Sequence, residues 1–195
     1  MKTRIAITLL ATASLLTACS GSSTPESNAG TDTTAVPPKS TAFTDADVMF
    51  AQMMIPHHEQ AIEMSDIALD PSTGASKAIT ALATQIKGAQ DPEISQMKNL
   101  LSSWKKPLMA DGGMDHSSVM GGMMSMDEMD ALGKLRGTQF DAAWAKAMIA
   151  HHEGAIKMAN DVLADGTNSE IQALAEAIVS GQTAEIAILK PIAGL

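Results

Sequence analysis

The chain has a single cysteine among its 195 residues, so it can form no internal disulfide and no thiolate metal cluster. Basic residues are also scarce: 13 Lys and Arg face 22 Asp and Glu, a formal charge of −9. That balance argues against nucleic acid as a partner and raises the local concentration of cations. No stretch alternates apolar and polar residues as a strand does, and the sequence carries no phosphate loop, dinucleotide fingerprint or nucleophile–base pair. These absences leave an all-α chain that is expected to bind something rather than to catalyse a reaction.

The amino-terminal apolar run, Ile5 to Leu16, is too short to span a membrane comfortably. It follows Lys2 and Arg4 and leads into Leu16-Thr17-Ala18-Cys19, which resembles a bacterial lipoprotein signal with cleavage before Cys19 and lipid on its sulfur. Residues 1–18 are thus expected to be a signal peptide, and its removal takes the charge from −9 to −11. Residues 19–41, rich in Ser, Thr, Gly, Ala and Pro, are too poor in large apolar groups to fold and read as a tether. The expected location is the cell envelope, lipid-anchored on the outer face of the cytoplasmic membrane or in the periplasm. Residues 42–195 suit one domain.

Within that domain the sequence repeats itself. Met54-Ile-Pro-His57-His58-Glu59-Gln-Ala61-Ile62-Glu-Met64 returns as Met148-Ile-Ala-His151-His152-Glu153-Gly-Ala155-Ile156-Lys-Met158, at an offset of 94 residues. Further on, Ala81-Leu82-Ala83-x-x-Ile86-x-x-x-Gln90-x-x-Glu93-Ile94 recurs from Ala173 to Ile186 at an offset of 92. Each copy reads as two helices, so a structural unit has been duplicated. Thr44 is the expected cap of the first helix, with Thr138-x-x-Asp141 as its counterpart. Phe50, Met54, His57, Ala61, Met64 and Ala68 form an inward seam, matched by Trp144, Met148, His151, Ala155, Met158 and Val162. Asp70-Pro71 and Gly166 mark the ends of these two helices. A second helix is expected from about 75 to 104, kinked or divided at Pro92, and a fourth from a Ser169 cap to about Lys190. Two amphipathic hairpins most economically build a four-helix bundle with pseudo-twofold symmetry.

The duplicated motif carries the candidate chemistry. Met54 precedes His57 and His58 by about one helical turn, so thioether and imidazole share a face, and Met148 repeats this with His151 and His152. Adjacent histidines differ by about 100° around a helix. One of each pair is therefore expected to face the bundle interior, His57 and His151 by their seam positions, and the other its flank. Packing alone is a poor reason for burying four imidazoles, because alkyl groups fill space without needing polar partners. Pro56 has Ala150 as its equivalent, so any kink there is not shared by the copies.

The connector at 107–126 adds Met109, Met114, Met120, Met123, Met124 and Met126, with Met129 just beyond, among glycines, aspartates and His116, and reads as a flexible arm. Neutral thioethers and imidazoles favour Cu(I) or Ag(I) over zinc or magnesium. A histidine site is expected to weaken below about pH 6.5, the ordinary imidazole value. The candidate metal ligands are therefore His57, His58, His151, His152, Met54, Met148, Met64, Met158, His116, Met114, Met120, Met123, Met124 and Met126.

The paired Met-Ile-x-His-His-x-x-Ala-Ile-x-Met motif, the Met/Gly/His-rich connector and the Gln-x-x-Glu-Ile that follows each motif resemble domain of unknown function 305. That resemblance implies a ferritin-like four-helix bundle in secreted bacterial lipoproteins and, from its copper-binding members, copper storage, delivery or tolerance. Ferritin-like bundles also host di-iron oxidoreductases, for which Glu93 and Glu185 are available. The position three before His57 and His151, where such sites carry glutamate, holds Met54 and Met148 instead. Glu59 and Glu153 read as solvated helix-face residues, with orientation of an imidazole as the alternative. A third class, a surface interaction module whose histidines only specify packing, makes no use of the duplicated sulfur.

Overall fold

The computed structural model describes residues 42–109 and 120–195, and among them every regular element is helical. The elements are α1 (Asp45–Leu69), a short 3-10 turn (Pro71–Thr73), α2 (Lys77–Ser103), α3 (Met126–Lys134), α4 (Gly137–Asp165) and α5 (Ser169–Ala193). Helix α1 opens as expected: Thr44 Oγ1 accepts from the Asp47 amide and Asp47 Oδ2 accepts from that of Thr44 at 2.8 Å. Asp47 has a second task that its place in the sequence does not disclose. Fully buried, it also accepts the Thr167 and Asn168 amides, tying the start of α1 to the α4–α5 turn. A Cβ on Gly166 would overlap Asp47, so that approach requires glycine.

Several expected boundaries are corrected. Pro92 lies inside a continuous α2 and does not divide it; burial of Ile86, Ile94 and Met97 on either side offsets the lost backbone bond, worth roughly 3 kcal/mol. Asn168, not Ser169, caps α5, its side chain accepting from the amides of Glu170 and Ile171. The Thr138–Asp141 signal is not used. Helix α4 begins earlier, at Gly137, whose φ of +56° turns the chain in from α3, and Asp141 accepts from the Ser76 amide instead.

The main pairings are α1 with α2 and α4 with α5, and α1 with α4 joins the halves. Two apolar clusters fill the bundle. One combines the start of α1, the end of α2, the end of α4 and the start of α5; the other combines the opposite ends. Helices α1 and α4 therefore run antiparallel. The clusters are separated on every long helix by polar residues: His57 and His58 on α1, Gln90 and Glu93 on α2, His151 and His152 on α4, Gln182 and Glu185 on α5. A polar layer thus lies between the two apolar clusters.

Candidate metal centre

All four motif histidines have no solvent exposure. The expected inner pair, His57 and His151, meets across the α1–α4 contact with ring centroids 3.8 Å apart and planes tilted by 41°. Their partners are not on an exposed flank, as the helical rotation led one to expect, because a second helix covers that side in each hairpin. His58 Nε2 lies 2.9 Å from Glu93 Oε2 on α2, and His152 Nε2 lies 2.7 Å from Glu185 Oε2 on α5.

Two imidazolium rings in van der Waals contact would repel, and burial strips each of hydration. His57 is held down to about 3 from the ordinary 6.5, first by burial and then by His58 and His152; its bond to Gly121 acts the other way. Burial and then the neighbouring His57 hold His151 well below the usual range. Both rings are neutral donors at any ordinary pH. The expectation that protons would compete for the site near pH 6.5 is revised, because in the folded protein that competition at His57 begins much lower.

The tautomers follow from the partners. The Gly121 carbonyl, 3.3 Å from His57 Nε2, can only accept, so Nε2 carries the proton. The carboxylates of Glu93 and Glu185 place the proton on Nε2 of His58 and His152 in the same way. Nδ1 of each of these three rings is left as a bare lone pair, buried and without a protein partner, and His151 has neither nitrogen satisfied. A ring that donates one N–H to a carboxylate or carbonyl while its other nitrogen stays open has the form of a metal ligand before metal. The carboxylate partners were not identified as such from sequence, although the repeated Gln-x-x-Glu was a visible signal.

Met54 and Met148 are fully buried and lie on opposite sides of the histidine layer, one in each apolar cluster. The other candidates separate. Met64 is fully buried two turns past His57, its carbonyl accepting from Trp144 Nε1 at 2.8 Å, and packs in the core. Met158 is half-buried; the second seam runs through Ala159, which is fully buried. Glu59 is exposed and paired with Lys98. Among the described residues, no three His, Cys, Asp or Glu side chains form a ready metal cluster. Between Gln90 and Gln182, a cavity of ≈ 30 Å³ is also lined by Glu93 and Glu185, room for about one water.

The connector is not wholly the expected free arm. Met114 and His116 lie outside the described residues, as does Cys19. Met120, however, is 4 % exposed, and Met124 is clamped at both backbone groups by the Gln60 side chain, at 2.7 and 2.8 Å. Gly121 and Gly122 press against α4 so closely that a Cβ on Gly122 would overlap Ala150, and one on Gly154 would overlap Gly121. The glycines that gave this segment its low-complexity look are what let its backbone reach His57. Met123 is half-buried, whereas Met126 begins α3 and is 87 % exposed.

The family profile described as a domain of unknown function, DUF305, matches residues 47–193. The chain belongs to the DUF305 family. A secreted DUF305 protein from Streptomyces coelicolor has a solved structure similar to this one, 32% identical with a TM-score of 0.69, the match covering 75% of this chain and 89% of that one. A DUF305 fragment from Deinococcus radiodurans is 30% identical with a TM-score of 0.69, covering 81% and 99%. CopM in its Cu(II)-bound form is 32% identical with a TM-score of 0.66, covering 76% and 95%. CopM has also been solved with Cu(I) and with silver. No curated protein matches the chain. Copper and silver binding thus occurs on this DUF305 fold, and the all-helical architecture is shared.

Proposed function

We propose that this protein is a cell-envelope lipoprotein that binds soft monovalent metal ions, Cu(I) or Ag(I), for storage, delivery or tolerance. One observation carries the reading: four fully buried imidazoles, each with an unpartnered Nδ1, in a layer that separates two apolar clusters, each with a buried motif thioether. An unpartnered buried polar group costs roughly 1–3 kcal/mol, a burden that a bound ion removes. His57 and His151 supply the central nitrogens, and Met54 and Met148 the sulfurs. His58 and His152 add nitrogens oriented by Glu93 and Glu185, whose charge balances the incoming cation. Lipid on Cys19 would hold the domain at a membrane, and Cys19→Ala should release it into the soluble fraction.

Binding rather than oxidation chemistry fits the soft donors, since Met54 and Met148 stand where a di-iron site needs carboxylates. The test is competition titration against a calibrated Cu(I) chelator. The wild-type domain should bind Cu(I) far more tightly than Zn(II), and His57→Ala/His151→Ala should lose the tight site, by about 100-fold or more if first ligands exceed the 10–100-fold typical of supporting groups. Equal affinity in the variant would make the histidines packing residues.

A further inference from the structure

A groove of ≈ 330 Å³ opens on the α1–α4 face, lined by Met49, Phe50, Met53 and Met158, with Gly121 and Gly154 also on its wall. Met49 and Met53 are one helical turn apart on α1 and line the same groove as Met158 of α4. Met49 is 57 % exposed on a well-formed helix, an apolar side chain left in water. Gly121 and Gly154 connect this groove to the polar layer: the Gly121 carbonyl bonds His57 Nε2, and a Cβ on Gly154 would lie 3.2 Å from the same atom.

The pseudo-symmetric position shows what this face looks like when it serves packing. There the counterparts of Met49, Met53 and Met158 are Ala143, Ala147 and Met64; Ala143 and Ala147 are half-buried against the same apolar cluster as Leu132, Met124 and Met129 of α3 and the connector. One face thus keeps a single thioether, Met64, fully buried, whereas the other lines an open groove with three, Met49 being 57 % exposed. Asp161 and Asp165 on the open groove add negative potential, offset in part by Lys157, which pairs with Asp161.

We propose that Met49, Met53 and Met158 form a second, outer site for a soft monovalent cation, from which the ion passes to His57. This rests on the soft-metal reading above and adds Met49 and Met53, which the duplicated motif does not contain. Thioethers need not lose a proton to bind, so they suit a site that first meets the ion in solvent.

The test is Ag(I) titration of the domain with methyl-labelled methionine, read by NMR. The methyls of Met49, Met53 and Met158 should shift together, and in Met49→Leu/Met53→Leu the Met158 shift should need about tenfold more Ag(I). Cu(I) uptake by the histidine layer should be slower in that variant, with unchanged final occupancy. Unshifted groove methyls in the wild type, or wild-type Met158 response and uptake in the variant, would overturn the outer site. Uptake by the histidine layer in the same samples keeps the readings separate, because a groove that fails while the layer fills refutes only this inference. Circular dichroism checks that the variant is folded.

Discussion

The two copies of the repeat agree where they touch the histidine layer and differ where they meet the connector. Gln60 and Gly154 occupy equivalent positions two residues past each His-His pair. In the first copy Gln60 clamps the Met124 backbone, while in the second Gly154 has no side chain and so admits the Gly121 backbone, which then caps His57. His58–Glu93 and His152–Glu185, by contrast, are the same contact made twice. A shared layer with unlike surroundings means that the repeat preserves the histidine–glutamate contacts while the connector docks on the two copies by different means.

The largest expected effect comes from the shared layer. Replacing His57 and His151 together by Leu removes buried nitrogens that lack partners, at roughly 1–3 kcal/mol each, so the metal-free protein should become more stable while losing its tight Cu(I) site. Urea unfolding of the metal-free proteins checks this, and destabilisation would mean that the rings are there to pack. The same variant tests the charge argument. Between about pH 3 and 6.5 the unfolded chain takes up protons that native His57 refuses, so the unfolded state binds more protons and native stability rises with pH across that window and levels off above it. Stability-versus-pH curves should be flatter for the Leu variant than for wild type.

A smaller effect is expected from the divergent positions. Gly154→Ala forces its Cβ into the Gly121 carbonyl, and overpacking of this kind costs about 1–3 kcal/mol. Hydrogen exchange should quicken around residues 120–125, while the equivalent change Gln60→Ala should free Met124 without disturbing Gly121. If Gly154→Ala leaves exchange unchanged, the connector does not depend on that approach.

The helical class, the duplication and the identity of the inner histidines were legible because the 3.6-residue period and the 94-residue offset are written in side chains. The polar layer was half legible. Gln-x-x-Glu stood out as repeated, but its meeting with His58 and His152 depends on how α2 and α5 pack, which periodicity within one helix does not encode. Helix α3 and the docked part of the connector were missed because a Met- and Gly-rich composition looks unstructured, whereas here glycine permits backbone contact and Met120 fills a buried gap. The α4 start was misplaced because Thr138 and Asp141 copy a capping pattern whose acid was reassigned to Ser76.

X-ray absorption at the copper edge, on the domain loaded with one equivalent of Cu(I), tests the central claim most directly. The account predicts nitrogen and sulfur scatterers in the same shell, with the nitrogen contribution reduced in His57→Leu/His151→Leu to what His58 and His152 can supply. A shell of sulfur alone, or of oxygen, in the wild type would contradict it.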